Sequence, residues 1–237
     1  MKSHEIRLRA YHRALHADSI PDRHADIANH MFSIEGSLGW RGIDIPQAPE
    51  CGADLGTGFD VKYPESGLSL NVEYVNRLPT YHYDDQSFYD DKLLITFRTS
   101  NGQLEYSDVL HNGFPQVIEA FKSYRAIVGF DSMASTYVFD REGPAQVFQK
   151  LQDDRSIDID GRNNIFTLGP AHYWDAQLCQ RALGYDRDEV IRRLDGKVPL
   201  VKPLMDGVYV VFNDDPDLTF EEFCGVNDRF KPILGLI

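Results

Sequence analysis

The chain opens on an alternation of apolar and polar positions. In EIRLRAY, Ile6, Leu8 and Ala10 are separated by charged neighbours, a period of two that predicts a strand with one buried face. The period then changes. In SIPDRHADIANHMFSIEGSLGW, Ile27, Met31, Ile34 and Leu38 recur at helical spacing, which predicts a helix. Ser19 is placed to cap it, with Asp22 three residues on near the positive helix end, and Gly36 or Gly39 is expected to close it. Residues 41–58, RGIDIPQAPECGADLGTG, are rich in Gly and Pro and read as a loop.

Alternation returns in LSLNVEYV, where Leu68, Leu70, Val72 and Tyr74 share a face. LLITFRT and LEYSDVL read as the next two strands, joined at SNGQ by an Asn-Gly hairpin signal. A helix is expected to start at Pro115 in FPQVIEAFKSYRAIV. STYVFD reads as a strand, GPAQVFQKLQ as a helix and NIFTL as a short strand. YWDAQLCQRAL and RDEVIRRLDG read as two short helices, the second closed by Gly196. GVYVVF is the most apolar strand and is placed centrally in the sheet. The last helix is signalled best: Thr219 and Glu222 form a T-x-x-E capping box, flanked by Leu218 and Phe223 as a hydrophobic staple. Strands cluster early and helices late. The fold class expected is therefore α+β, an antiparallel sheet with helices packed on it, with residues 1–237 as a single compact domain.

Composition narrows the function. Of 237 residues, 42% are hydrophobic, enough for a sizeable core and too many for a disordered chain. No apolar run approaches the roughly 18 residues that would span a membrane. The start, MKSHEIRLRAYHR, has no apolar stretch of signal-peptide type, so a cytoplasmic protein with no membrane partner is expected. The net charge is −13, shared by both halves of the chain. Such a surface repels phosphate backbones, which argues against direct nucleic-acid binding, and it attracts a basic partner. Cys51, Cys179 and Cys224 are scattered, with no C-x-x-C pair, and read as reduced thiols.

Catalytic patterns are sparse. There is no G-x-S-x-G elbow, Walker loop or H-E-x-x-H. GADLGTGFD holds Gly52, Gly56 and Gly58 but lacks the third glycine of a dinucleotide loop. His12 and His16 are four apart, yet they fall at a strand end beside Arg9 and Arg13, which disfavours a cation there. SIDIDGRNNIFT has Asp158, Asp160 and Gly161 in calcium-loop positions, but Ser156 and Thr167 stand where the first ligand and the closing Glu belong. It reads as an Asp-Gly turn. Trp40 and Trp174 read as core residues. No metal and no cofactor are expected.

One stretch stands apart. YHYDDQSFYDD, Tyr81 to Asp91, packs aspartates, a histidine and four rings into one polar segment between two expected strands. His82, Asp84 and Asp85 have the donor chemistry for a divalent cation, so a metal-dependent enzyme is the alternative reading, and a merely solvated loop is the plainest one. Neither needs four rings. Tyr81, Tyr83, Phe88 and Tyr89 cannot all be buried in so polar a loop, and with Asp84, Asp85, Asp90 and Asp91 they suit a recognition surface. Asp214 and Asp215, in FNDDPDLTFEEF, form a second acidic candidate, although acids are favoured before a helix in any case.

The two ends of the chain carry a resemblance. The opening strand and helix finish in EGSLGW, and the chain closes on LMDGVYVVFNDDPDLTFEEFCGVNDRFKPILGLI. In these the protein resembles bacterial immunity proteins of polymorphic-toxin and type VI secretion systems, and among them the family called immunity protein 52. The resemblance implies an α+β cytosolic antitoxin, not an enzyme, that binds one cognate toxin effector and blocks it stoichiometrically. Toxins beside this family typically carry a restriction-endonuclease-like DNase domain, so a basic nuclease domain is the implied partner. No catalytic residue carries over. Monomer and homodimer both stay open, as do plugging of the toxin's active site and blocking of an assembly it needs.

Overall fold

The computed structural model describes residues 4–14, 19–47, 56–63, 67–76, 90–100, 102, 104–142 and 161–236. Among them, eight strands form one sheet: β1 Glu5–His12, β2 Gly56–Lys62, β3 Ser69–Val75, β4 Asp91–Arg98, β5 Arg125–Phe130, β6 Ala171–Trp174, β7 Leu200–Leu204 and β8 Gly207–Val211. Their order across the sheet is β2-β3-β4-β1-β5-β6-β8-β7, and every neighbouring pair is antiparallel. The described helices are α1 Ile20–Ser33, α2, α3 Met133–Glu142, α4, α5 Arg187–Leu194 and α6 Phe220–Leu234. Helix α2 runs through Tyr106–Asp108, a π turn Val109–Gly113 and Phe114–Ala120; α4 runs through Ala176–Leu178 and a π turn Cys179–Leu183. The result is a single α+β domain, as the sequence pattern predicts.

β1 lies near the middle. Leu8 faces Ile95 of β4 on one side and Val128 of β5 on the other. One face of the sheet carries Leu8, Leu70, Val72, Leu93, Ile95 and Phe97 into the larger core, where Ile27 and Met31 of α1 and Val117 and Ile118 of α2 meet them. The other face is covered over β6 and β8, where Trp174, Val208 and Val210 pack with Leu178, Val190, Phe230 and Leu234. β8 therefore gives Tyr209 and Val211 to one core and Val208 and Val210 to the other.

Local signals explain the ends of several elements. Ser19 caps α1 by accepting from the Asp22 N–H, and the Thr219–Glu222 capping box of α6 is complete on both sides. Leu218 and Phe223 are both buried, as a staple requires. α1 stops at Ser33, earlier than the glycines suggest. The chain then folds back so that the Trp40 N–H donates to the Met31 carbonyl. Gly39 permits this, because a Cβ there would sit 2.3 Å from the Ile34 carbonyl oxygen. The Trp40 side chain is fully buried.

Other expectations are corrected. Gly56 and Gly58, expected at the end of a loop, lie in the edge strand β2. LEYSDVL is not a strand: it enters α2, so SNGQ joins β4 to a helix. STYVFD belongs to α3, whose Met133, Tyr137 and Val138 reach the core. The helix expected from Pro115 ends at Ala120, and RAIVGF becomes β5. Tyr173 and Trp174 end the strand β6, and α4 starts after Asp175, whose carboxylate accepts from the Leu178 N–H. Residues 164–168 form no strand; the Asn227 side chain bonds both backbone groups of Leu168, at 2.8 Å from its N–H and 2.9 Å from its carbonyl. β8 is next to the edge rather than central; its apolar run reflects cover on both faces, not a middle position.

Candidate interaction surface

The aromatic–acidic stretch divides between two situations. Tyr81, His82, Tyr83, Asp84, Asp85, Phe88 and Tyr89 lie outside the described residues, as do His16, Cys51 and residues 156–160 of the half calcium loop. The stretch does sit where the pattern places it, between the paired antiparallel strands β3 and β4. Its last two aspartates are described, and they are not exposed: Asp90 is 2% and Asp91 0% accessible. This corrects their reading as surface contacts.

Each of the two is held by a cation. Asp91 Oδ2 lies 3.0 Å from Arg23 Nε and 3.0 Å from His12 Nδ1, and Oδ1 accepts from the Val75 N–H at 2.9 Å. Arg23 also donates to the Val75 carbonyl at 2.7 Å. Asp90 makes a bidentate pair with Arg162, whose Nε lies 2.7 Å from Oδ2, and it accepts from the Ala14 N–H at 3.2 Å. Beside them, Arg13 pairs with the buried Asp175. The Tyr124 ring lies 4.4 Å from the Arg13 guanidinium and 5.8 Å from that of Arg162. Carboxylates taken out of water need such partners. The network ties the ends of β1, β3 and β4 to α1, so that the strands flanking residues 77–89 leave a fixed base.

Asp214 and Asp215 are exposed, ahead of α6. Asp214 lies 3.6 Å from His111 Nε2, and Asp215 accepts from the Asp217 N–H while its own N–H is held by Asn213. The turn is therefore held in part by its own side chains and keeps Asp214 and Asp215 exposed.

A further feature brings Asp26 and Lys122, which the sequence did not single out, beside His12, Ser19 and Asp22, which it did. Helix α1 stands between two hollows. One, of ≈ 270 Å³, is polar and includes His12, Ser19, Asp22, Asp26 and Lys122. Lys122 Nζ lies 2.6 Å from Asp26, and this contact holds the Asp26 carboxyl below its usual range. The other, of ≈ 410 Å³, is apolar and runs along Pro21, Ala25, Ala28 and Phe32 against Ile45 and Pro46. Between this groove and the core, the buried His24 is 3.0 Å from the Tyr74 hydroxyl, and burial lowers its pKa. The sequence signal for the groove is the apolar face Pro21, Ala25, Ala28 and Phe32, offset from the core face Ile20, Ile27 and Met31.

Chemistry elsewhere is limited. Among the described residues, no three His, Cys, Asp or Glu side chains gather as metal ligands, and no helix is long and apolar enough to cross a membrane. Gly56 and Gly58 pair with Val75 and Glu73.

No family model matches the chain, and no curated protein matches it. Among solved structures, it is similar in fold to the Pseudomonas aeruginosa T6SS protein PA0821. The TM-score is 0.56 at 11% sequence identity, covering 99% of this chain and 73% of that one.

Proposed function

We propose that this protein is an immunity protein of a type VI secretion or polymorphic-toxin system, one that binds a single toxin effector and neutralises it by stoichiometric contact in the cytoplasm. The observation that carries the proposal is the likeness to a T6SS protein over 99% of the chain at a TM-score of 0.56. The resemblance of EGSLGW and of the closing strand–acidic turn–helix to immunity protein 52 points the same way. The partner best suited to a chain of net charge −13 is basic, and a restriction-endonuclease-like DNase domain has that character. Acidic side chains would then occupy the place of DNA phosphates in the toxin's cleft. The chain itself performs no catalytic step in this reading. Asp214 and Asp215 keep their place as contacts because they are exposed. Tyr81, Tyr83, Asp84, Asp85, Phe88 and Tyr89 keep theirs on sequence grounds.

The test is co-expression with the product of the adjacent gene, followed by purification through a tag on either chain. A stoichiometric complex, together with a neighbour that is lethal when expressed alone, is the expected result. A harmless neighbour that does not co-purify would overturn the proposal. Within a complex, a Tyr83→Ala, Asp85→Ala double variant is expected to bind more weakly, by about tenfold or more. Unchanged affinity would place the interface elsewhere.

A further inference from the structure

We infer that the ridge of α1 is a docking element for a basic, amphipathic segment of the toxin. An apolar side chain of that segment enters the groove along Pro21, Ala25, Ala28 and Phe32, and lysine or arginine beside it meets Asp22 and Asp44. The inference rests on the immunity reading and supplies it with a contact surface built from described residues.

Three observations lead there. First, the groove is apolar and open. Phe32 is 38% exposed although its ring meets Trp40 edge-on at 6.1 Å, and Pro21 and Ala25 are exposed beside it. An aromatic residue left at the edge of a hollow of ≈ 410 Å³ is the shape that an inserted side chain fills.

Second, the carboxylates at its margins make no ion pair among the described residues, although Asp22 accepts from the Ser19 hydroxyl in the first turn of α1. Asp22 follows the lining residue Pro21, and Asp44 precedes the lining residue Ile45; both are exposed. Among the described residues neither has a cation in ion-pair range, whereas Asp26 is matched by Lys122 at 2.6 Å and Glu35 by Arg41 at 3.2 Å. Asp44 beside the apolar groove and Asp22 on the ridge between the two hollows, on a chain of net charge −13, favour a basic occupant. They disfavour an anionic membrane surface. They also disfavour a second copy of this chain, which would bring the same acids face to face.

Third, the ridge is rigid before anything binds. Ile20, Ile27 and Met31 are in the core, Arg23 is fixed on the buried Asp91, and His24 is fixed on Tyr74. A helix anchored in this way loses little freedom on association.

Two surface variants of the full chain test the inference. Ala25→Arg puts bulk and positive charge at the groove, and Asp44→Lys reverses one margin charge without touching the groove. Ala25 is exposed and Arg is nearly as good a helix former as Ala, so both variants should melt within about 2 °C of the original. Asp188→Lys on α5, a charge change equal to that of Asp44→Lys, is the control. Isothermal titration against the purified product of the adjacent gene is expected to show about tenfold weaker binding for each groove variant and about 100-fold for both together, with the control within about threefold. If the unaltered chain binds and the groove variants bind equally well, α1 is not the docking element and the immunity reading survives. If the unaltered chain does not bind, both fall.

Discussion

The Tyr209 hydroxyl donates to the carbonyl oxygen of Leu110 at 2.8 Å, inside the larger core. The bond answers a need created by a proline. In the π turn of α2, the Phe114 N–H reaches back five residues to the Val109 carbonyl. In that register, the next donor would serve Leu110, but residue 115 is Pro and has no N–H. Burial pushes the Tyr209 phenol far up, so it stays a neutral donor. Tyr209→Phe should leave the Leu110 carbonyl unsatisfied and lower stability by about 1–3 kcal/mol. Urea denaturation should show this as a lower midpoint with an unchanged slope. Pro115→Ala restores a donor, so the double variant should lose less than the two single losses added together. Strict additivity would separate Tyr209 from the proline.

Asp91 and Arg23 should behave as a buried pair. The Asp91 side chain is 0% exposed and that of Arg23 5%. Asp91→Ala leaves a guanidinium in the interior and is expected to cost about 3–5 kcal/mol, whereas Asp91→Leu with Arg23→Met should cost clearly less. Thermal unfolding of the two variants measures the difference. A double variant no better than Asp91→Ala would mean that packing, not charge, dominates the site.

Which parts of the fold are legible depends on where water reaches the sheet. β4 alternates, with Leu93, Ile95 and Phe97 buried and Leu94 and Thr96 partly exposed, and it reads as a strand. β5 is buried on both faces, so RAIVGF loses its period and merges with the helix before it. The boundary is Lys122, which ends α2 at φ 49 without the glycine that would announce such a turn. In α2, Tyr106, Val109, Leu110, Gly113, Phe114 and Val117 show a helical period only when read through the proline, which the π turn accommodates. Charges are less legible still. Asp90 and Asp214 look alike in sequence, and what separates them is Arg162, 72 residues beyond Asp90, a partner no local pattern supplies. Phe32 hides for a similar reason: its exposure depends on where the loop through Ile45 and Pro46 returns.

Cys179 should be inert in the folded protein. It is fully buried against Leu178 and Val190, and burial pushes its thiol up to about 12, so almost no thiolate exists at neutral pH. Peptide mapping after iodoacetamide treatment should find Cys179 unmodified under native conditions and alkylated in guanidinium. Native labelling at a rate matching a free thiol would place it outside the core.

Acid should destabilise the protein in the range where histidine titrates, and His172 is one cause. The ring is fully buried between Trp174 at 5.3 Å and Phe212 at 6.2 Å. Its Nε2 accepts from the Gly169 N–H at 2.7 Å, which fixes the neutral form. Burial lowers its pKa well below 6.5, and the Arg125 charge lowers it further. The unfolded chain therefore binds a proton at a pH where the folded chain does not. The stabilisation is complete above the unfolded value of 6.5 and is lost progressively as pH falls below it towards the depressed folded value. His24, lowered by burial, acts in the same direction. Each such histidine contributes a slope of up to about 1.4 kcal/mol per pH unit within its window. His172→Gln keeps an acceptor for Gly169 but cannot titrate. Its stability between pH 7 and about pH 5 should fall less steeply than that of the original chain, even if its stability at pH 8 is lower. Parallel pH profiles for the two proteins would show that His172 does not couple folding to protons.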